Sequence, residues 1–529
     1  MRRSALPAAL LALAVAAVPA SAATLHGKAG VAVAAPTTTQ QVVTSFDGTK
    51  IFTTLFRPDG GAPAPLVLRT HGWGGTGETT LTGTAKKLVD AGYAVMTWDE
   101  RGFGQSGGEV HIDNPLYEGK DASALIDWAV ANKVVTVVDG DPVVGMTGGS
   151  YAGGIQTATA AFDSRIDAIA PEISWSDLRY SLDPGRVIKV GWVSLLYAAG
   201  NTALSGGITG ATGPAGPQTG RYASDLDRAY LVGAATNEID SDSNAFLAGS
   251  SLDHYDSTKK LLDVPTLVMN GSVDTLFNLA DGYGIYQHAK KAGAPAKFIA
   301  FCGGHVSCPS TYTDAKDRAH LDDAILTWFQ RYLKGDKTAK TGAPVEYRTN
   351  VGGVFHDADG FAPSNSTPLT GKVDGSLLSS AAPAQEALSS GGTGAVTTGA
   401  PSAAGDPRAT TSTVTQATQD LDLVGLPVAD LKVSGTGSSV HLFVKLVDRE
   451  SGVVVNLQEA PMRVDGLSAT PQAVHVRMPG VAYTLVKGHH LDVQVTTASS
   501  SYLNARVPAQ VTVTGSVTVP SVPSGHAAK

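Results

Sequence analysis

The sequence has few cysteines, no excess of basic residues and no long apolar run beyond its first residues, and each absence narrows the class of protein. Two cysteines among 529 residues exclude a disulfide-stapled scaffold. A formal net charge of -8, without a basic stripe, argues against nucleic acid as a partner. No later segment is apolar enough to cross a membrane. With 43% hydrophobic residues, we expect a soluble protein with a large core.

The first 22 residues have the pattern of a secretory signal peptide. Arg2 and Arg3 form the charged start, residues 5–18 the apolar run, and residues 20–22 a small-residue cleavage site. A membrane anchor is the alternative, but the run is shorter than the roughly 20 residues that a span needs. We expect cleavage after Ala22, secretion, and no membrane contact afterwards.

Between residues 37 and 340, apolar strand-like runs alternate with helix-like segments. Asp47-Gly48 between two alternating runs predicts a hairpin. The alternation that follows predicts a largely parallel sheet with right-handed crossovers. Residues 174–258 interrupt it, and we interpret them as a cap over the carboxyl edge of the sheet. One face of a helix is predicted from residues spaced three and four apart, namely Ala122, Leu125, Ile126, Ala129 and Val130.

From residue 341 to about 520 the pattern changes to short strands of period two. Val511, Val513, Val517 and Val519 share one parity, and many such strands predict an antiparallel β-sandwich. The Ala/Ser/Gly/Thr-rich stretch from residue 379 to 412 predicts a loop or linker. The tail after Val519 is predicted to have no fixed structure.

The strongest local signal is a glycine pair followed by a serine. The strand-like run 142–146 leads into Gly148, Gly149 and Ser150, and a small-residue helical run follows. This is the pattern of a nucleophile elbow, a sharp strand-to-helix turn that presents a serine hydroxyl. A Gly-Ser loop without chemistry is the alternative, because such short motifs are common.

A serine nucleophile needs a base, and the base needs an acid that orients it. Asp274 and His305 each follow a strand-like run, as Ser150 does, and their order along the chain is that of the α/β-hydrolase architecture. The alternative for Asp274 is a helix N-cap. Asp263 is the nearest rival acid, but it precedes its strand and would lie at the opposite sheet edge. His71 also follows a strand but precedes the serine, and it suits the oxyanion loop.

Backbone N–H groups are the expected donors to the oxyanion. One is that of Tyr151, directly after the serine, and the other belongs to the glycine-rich loop 71–75, for which we choose Trp73. The charged loop that begins at Asp99 is interpreted as a tight turn held by Asp99 and Arg101, and a catalytic role is the alternative.

Cys302 and Cys308 enclose His305 in a short glycine-rich segment. In an exported protein we expect them to form a disulfide. A metal site is the alternative, but two cysteines and one histidine lack a fourth ligand. The sequence predicts neither a metal ion nor a cofactor.

Several stretches of the chain resemble those of one family, namely residues 69–70, 99–106 and 148–153, the loops of Asp274 and His305, and residues 440–448, 481–483 and 487–491. This family is the peptidase S15 group, which contains Xaa-Pro dipeptidyl-peptidases and acyl esterases of the cocaine-esterase type. The resemblance implies an α/β-hydrolase core with a helical cap insertion and a C-terminal all-β jelly roll, and it implies a triad of Ser150, Asp274 and His305. One departure is His71-Gly72-Trp73, where family members often have a tyrosine donor.

We therefore expect a secreted serine hydrolase that cleaves acyl esters through an acyl-enzyme. The alternative is an Xaa-Pro dipeptidyl-peptidase acting on a short peptide, which would need a carboxylate to bind the free amine. A third hypothesis is a non-catalytic carbohydrate-binding protein. The sequence does not indicate an oligomeric state.

Overall fold

The computed structural model describes residues 35–206, 212–214, 216–309, 317–379 and 408–525. The predicted signal peptide and most of the predicted loop 379–412 lie outside these residues. Everything below concerns the unit that begins at Pro36. Within the described residues, no helix is long and apolar enough to cross a membrane.

The part of the chain before residue 359 contains sixteen strands and ten α-helices among its described residues. The strands are β1 Thr37–Thr44, β2 Lys50–Arg57, β3 Leu66–Arg69, β4 Ala94–Trp98, β5 Gly108–Val110, β6 Val137–Val138, β7 Asp141–Pro142, β8 Val144–Gly149, β9 Ile166–Glu172, β10 Thr212–Gly213, β11 Gly216–Pro217, β12 Gly220–Tyr222, β13 Thr266–Gly271, β14 Ala296–Phe301, β15 Val345–Arg348 and β16 Phe355–Ala358. The helices are α1 Gly83–Asp90, α2 Glu118–Ala131, α3 Tyr151–Phe162, α4 Leu178–Leu182, α5 Val190–Ala203, α6 Ser224–Thr236, α7 Ser241–Ala248, α8 Leu252–Ser257, α9 Leu279–Lys291 and α10 Asp317–Tyr332.

Ten of these strands form a central sheet in the order β1-β2-β4-β3-β8-β9-β13-β14-β15-β16. The strands from β4 to β15 in this order pair in parallel, whereas the hairpin β1-β2 and the outer strand β16 pair antiparallel. The predicted parallel sheet is confirmed. Because parallel strands end at one edge, the segments after β8, β13 and β14 meet there.

Helices cover both faces of the sheet because their apolar positions recur at helical spacing. In α2, Ala122, Leu125, Ile126 and Ala129 are fully buried, as the spacing predicts, but Val130 is 40% exposed. The Val130 side chain therefore lies at the solvent edge of the buried face of α2. Between β9 and β13, the helices α4 to α8 form the insertion that the sequence predicts as a cap.

The remaining described residues form two antiparallel sheets. One has the order β24-β20-β27-β19-β25 with β17 paired to β27, and the other has the order β18-β26-β21-β22 with β23 paired to β21. The fold class, an α/β-hydrolase core with a C-terminal all-β domain, is the one predicted. The strands are β17 Thr367–Ser379, β18 Thr410–Gln416, β19 Leu421–Gly425, β20 Val428–Thr436, β21 Ser439–Asp448, β22 Val453–Val454, β23 Ala460–Asp465, β24 Gln472–Arg477, β25 Val481–Leu485, β26 His490–Thr496 and β27 Ala509–Pro523.

Strand β21 does not show the alternation of buried and exposed side chains that is typical of a half-exposed strand. Both parities of its side chains are buried, including those of His441 and Phe443. One parity faces the sandwich core, and Phe443 of the other parity packs with Val187 of the cap and with Tyr502. The face of β21 that carries His441 and Phe443 is therefore buried although it keeps polar residues.

The prediction of an unstructured tail after Val519 is wrong. Strand β27 continues to Pro523, and its last residues pair with β17 and β19. Strand β27 includes Pro520 and Pro523, although proline cannot donate to a sheet ladder.

Candidate active site

Ser150 lies at the turn between β8 and α3, with φ 61° and ψ -123°. A non-glycine residue rarely adopts a positive φ, and here it turns the chain sharply from strand to helix. The turn is fixed by a hydrogen bond of 2.9 Å from the Ser150 N–H to the Glu172 carbonyl on β9. The strand–turn–helix context expected of a nucleophile elbow is therefore present.

Small residues around the serine are required by close contacts. Gly148 has φ 155°, and a Cβ placed there would lie 2.6 Å from the Cβ of Ala152. A Cβ at Gly153 would lie 2.6 Å from the Cβ of Ser174. Since real Cβ atoms do not approach so closely, the turn accepts only glycine at both positions.

His305 and Asp274 converge on Ser150 at the carboxyl edge of the sheet. The Oγ of Ser150 is 2.7 Å from Nε2 of His305, and Nδ1 of the same ring is 2.7 Å from Oδ2 of Asp274. Asp274 is fully buried, whereas 13% of the His305 side chain is exposed. With the buried carboxylate accepting from Nδ1–H, Nε2 is free to accept the proton of the serine hydroxyl.

Both carboxylate oxygens of Asp274 accept hydrogen bonds. Its Oδ1 accepts from the N–H groups of Leu276 and Phe277, each at 2.9 Å, and its Oδ2 also accepts from the His305 N–H at 3.0 Å. Gly304 lets the histidine loop approach, because a Cβ there would lie 2.4 Å from the Cβ of Asp274. These bonds hold the Asp274 carboxylate in one orientation toward the imidazole.

The alternative roles for the acid do not fit the structure. Helix α9 is capped by Asn278, whose side chain accepts from the Ala280 N–H at 2.8 Å. Asp263 is exposed and precedes β13. Asp274 is therefore not the cap of α9, and Asp263 does not compete with it at this edge.

The predicted disulfide between Cys302 and Cys308 is present, closing the loop that contains His305. The loop is also held at its start, where the Cys302 N–H donates to Asp317 at 2.9 Å. On the chain-entropy model, a disulfide that closes a loop this short raises the free energy of unfolding by about 2 kcal/mol.

Reduction of the disulfide is expected to lower kcat severalfold, because His305 is then held by fewer constraints. The measurement compares turnover of the oxidised protein, the reduced protein and a Cys302→Ser/Cys308→Ser variant. Unchanged turnover with both thiols verified as free would show that the disulfide is dispensable for positioning His305.

The loop that follows β3 lies beside the serine. A Cβ on Gly72 would be 3.9 Å from the Cβ of Ser150. The indole N–H of Trp73 donates to the Leu196 carbonyl at 2.7 Å, and its ring contacts that of Tyr151 edge to face. The Trp73 side chain is thus bonded to the cap and is not the predicted donor. The backbone N–H groups of Trp73 and Tyr151 remain the predicted oxyanion donors.

His71 is fixed as a neutral imidazole. Its Nε2 accepts from the Glu100 N–H at 2.9 Å, so its Nδ1 carries the proton and donates to the Gly72 carbonyl at 2.8 Å. Burial lowers the pKa of His71 to about 4. Its two nitrogens are occupied by backbone groups of its own loop and of the loop after β4, and His71 is not placed to act as the base.

The charged loop after β4 is structural, as predicted. Asp99 accepts from the N–H groups of Gly77 and Gln105, each at 2.7 Å. The Arg101 guanidinium donates to both oxygens of Asp121, at 2.6 and 2.7 Å. These are the hydrogen bonds of a tight turn tied to α2.

Several carboxyl groups are buried together under the elbow helix. Burial raises the pKa of Glu100 well above its ordinary value, and the charges of Glu118 and Asp121 raise it further. Burial likewise raises the pKa of Glu118 to about 8. A carboxyl group whose pKa is higher in the folded than in the unfolded protein contributes stability at low pH, and this stability is lost as the pH rises through the folded value.

Glu100→Gln is therefore expected to raise the melting temperature at pH 9 relative to the wild type, with little difference at pH 5. The amide keeps the shape of the protonated acid but cannot ionise. Thermal unfolding of both proteins between pH 5 and 9 tests this, with the exposed Asp323→Asn as control. A constant difference across this range would contradict the assignment of Glu100 as a protonated buried acid.

Three residues that the sequence analysis missed hold the acid loop from outside the core. Lys189 of the cap donates from Nζ to the Leu276 carbonyl at 2.7 Å, and Trp192 donates from its indole to Thr275 Oγ1 at 3.0 Å. Gln458 of the β domain donates from Nε2 to the Asp274 carbonyl at 2.5 Å. No local motif marks these residues, because each acts across a large sequence distance.

A cavity of about 310 Å³ opens beside Ser150. Its lining combines the core, the cap and the β domain, and none of its described lining residues is charged. Representative members are Tyr151, Phe277, Leu178, Val193, Leu226 and Leu503. The site therefore offers an apolar group of the substrate an uncharged compartment next to the serine.

Away from this site, one cluster in the described residues has ligand atoms close enough for a metal ion. Asp448, Glu450 and His489 place theirs within 4.8 Å of one another. However, His489 Nδ1 bonds to Asp448 at 2.9 Å, and His490 Nδ1 bonds to Glu450 at 2.7 Å. The groups satisfy one another, and nothing else indicates a ligand.

Two family profiles match the chain. That of the X-Pro dipeptidyl-peptidase (S15 family) matches residues 47–307, and that of the X-Pro dipeptidyl-peptidase C-terminal non-catalytic domain matches residues 337–516. The fold and the site place the protein in the class of α/β-hydrolases. Within that class, the chain belongs to the peptidase S15 family.

Curated relatives match only part of the chain. The cocaine esterase of Rhodococcus sp. (strain MB1 Bresler) is 30% identical over 167 residues, which are 28% of this chain and 27% of that protein. The quorum-quenching protein AidA of Acinetobacter baumannii (strain MDR-ZJ06) is 35% identical over 126 residues, 23% of this chain and 40% of that protein. The chain spans about two-fifths or less of the length of the curated relatives it matches.

Solved structures resemble the whole fold at low sequence identity. An α-amino acid ester hydrolase superposes with a TM-score of 0.70 at 17% identity, covering 94% of this chain and 98% of the other. An aminopeptidase from a marine-sediment Thaumarchaeota archaeon gives 0.69 at 16% identity, covering 95% and 99%. At such identities the likeness establishes the architecture of both domains.

Proposed function

We propose that the protein is a serine hydrolase of acyl esters, with Ser150 as nucleophile, His305 as general base and Asp274 as the orienting acid. The proposal is carried by one observation, the chain of two 2.7 Å contacts from Ser150 Oγ through the imidazole to the buried Asp274. A nucleophile, a base and a third group that orients the base are the parts that acyl transfer requires.

In this mechanism, Ser150 Oγ bonds to the acyl carbon while its proton passes to Nε2 of His305. The oxyanion accepts from the backbone N–H groups of Tyr151 and Trp73. The bond to the alcohol then breaks, and the alcohol leaves with the proton from Nε2. Water repeats the sequence, giving the carboxylic acid and free Ser150, while Asp274 stabilises the imidazolium at each stage.

The pocket favours an ester over an Xaa-Pro peptide. A dipeptidyl-peptidase must bind a free ammonium group, and burying that charge without a carboxylate partner is costly. No carboxylate belongs to the described lining of the cavity. Relatives are named for both activities, an esterase and an amino acid ester hydrolase on one side and an aminopeptidase on the other.

A parallel assay of nitrophenyl esters and Xaa-Pro nitroanilides tests the function. We expect ester hydrolysis, loss of nearly all activity in Ser150→Ala, and fluorophosphonate labelling that this substitution abolishes. Labelling that survives Ser150→Ala would remove Ser150 as nucleophile. Preference for the nitroanilides would establish the peptidase, and a folded chain inactive on both that binds carbohydrate would favour the non-catalytic hypothesis.

We also propose that the mature protein is secreted. The first 22 residues support this with their charged start, apolar run and small-residue cleavage site. The disulfide between Cys302 and Cys308 also supports it, because disulfides form and persist in oxidising compartments. Mass spectrometry of the protein recovered from culture medium should give a mature chain that begins at residue 23. An intact chain confined to the cells would contradict the proposal.

A further inference from the structure

The cavity beside Ser150 lies on one side of the reacting centre. Its lining includes Ser150, Tyr151 and Trp73, which are the nucleophile and the residues of the predicted oxyanion donors. His305, which must face the departing alcohol, is not among its described lining residues. The cavity therefore receives the acyl part of the substrate rather than the alcohol.

Three polar groups of the lining donate hydrogen bonds to protein partners. The Trp175 indole donates to the Ser250 carbonyl at 2.8 Å, and the Tyr197 hydroxyl donates to Asp227 at 2.8 Å. The Trp73 indole is bonded to Leu196 in the same way. A polar or charged acyl group would lose its hydration without gaining these partners, so the cavity selects for hydrocarbon.

The volume limits the length of that hydrocarbon. An apolar protein cavity of about 150 Å³ accepts benzene, which has six carbon atoms. The cavity here has about twice that volume, 310 Å³, and takes roughly ten carbon atoms in an extended or gently bent chain. Its lining also includes residues of α6 in the cap, among them Ala229, and Leu503 of the β domain.

We propose that the acyl site takes an uncharged aliphatic acyl chain of about eight to ten carbons, so that the physiological substrate is a medium-chain acyl ester. This inference rests on the proposed serine hydrolase function. It assigns chain-length selection to the cap and to Leu503, and it excludes α-aminoacyl groups, whose ammonium would lie against an uncharged lining.

The test is a series of esters that share one alcohol and differ only in a straight acyl chain of two to sixteen carbons. Each buried methylene is worth roughly a fourfold rise in kcat/KM. We expect kcat/KM to rise from acetyl to octanoyl or decanoyl and to fall beyond dodecanoyl. A series that is fastest with acetyl, or an α-aminoacyl ester faster than its neutral counterpart, would overturn the inference while leaving the hydrolase function in place.

A matched pair of variants on α6 locates the selection. Ala229→Phe places a ring in the lining and is expected to move the optimum to chains about four carbons shorter, with at least a tenfold loss on the decanoyl ester. Leu231→Phe, on an exposed neighbour outside the lining, should keep the wild-type profile. Equal profiles for Ala229→Phe and the wild type would contradict the site, whereas inactivity of the wild type on every ester would instead refute the proposed function.

Discussion

Asp274→Asn is expected to lower kcat/KM by about 10⁴-fold, a loss of about 5.5 kcal/mol in transition-state stabilisation. Asp274 accepts at both oxygens, from the His305 ring and from the backbone N–H groups of Leu276 and Phe277. An amide nitrogen at either position would face a donor. The imidazole then favours the tautomer protonated on Nε2, which cannot take the proton of Ser150.

The control for this prediction is Asp263→Asn. Asp263 is exposed and lies at the opposite end of β13, so its substitution should leave kcat/KM unchanged. Circular dichroism and thermal unfolding of both variants verify that they are folded. A folded Asp274→Asn variant within tenfold of the wild type would remove Asp274 from the proposed triad.

The contacts of the triad were predictable because their causes are local. Ser150, Asp274 and His305 each follow a buried strand by a few residues, and parallel strands bring their carboxyl ends to one edge. Gly148 and Gly304 mark the two loops, since a Cβ at either would collide with a neighbour. A short stretch of sequence therefore carries the information on where each group lies.

The character of the substrate pocket was not predictable in this way. The cap segment contains many acids, and its sequence does not show which of them point inward. In the structure they serve other ends: Asp177 and Asp240 cap short helices, and Asp227 accepts from the Tyr197 hydroxyl outside the lining. The pocket is assembled from four helices of the cap, from the core and from Leu503. Its polarity is therefore decided by tertiary packing rather than by any one segment.

The contribution of the β domain to the site was also hidden from sequence. The turn before Gln458 has two non-glycine residues with positive φ, Asn456 at 52° and Leu457 at 57°. Asn456 is fixed there by hydrogen bonds with both backbone groups of Ala482, at 3.1 and 3.3 Å. Neither of these two positions is a glycine, so the sequence does not predict a turn with positive φ here. The turn places the Gln458 side chain against the Asp274 loop, and this contact is seen only in the structure.

Gln458→Ala is expected to lower kcat by ten- to a hundredfold with little change in KM. Gln458 is buried, and its amide is the donor to the carbonyl of Asp274. Removing it leaves a buried carbonyl unsatisfied, at a cost of about 1–3 kcal/mol in stability. It also frees the loop that orients His305, and a displacement of about 1 Å at a reacting group costs roughly a hundredfold in rate.

Two further variants separate positioning from a general loss of stability. Gln472→Ala removes a glutamine of the same β domain that also donates to backbone carbonyls, those of Asp465 and Gly466, at 3.1 and 2.9 Å. It should lower the melting temperature while leaving kcat unchanged. Gln458→Glu keeps the size of the side chain but loses the donor on ionisation, so its kcat should fall as far as that of Gln458→Ala. If Gln458→Glu instead retains wild-type kcat, the hydrogen bond to Asp274 is not what the β domain contributes, because filling the space is then sufficient.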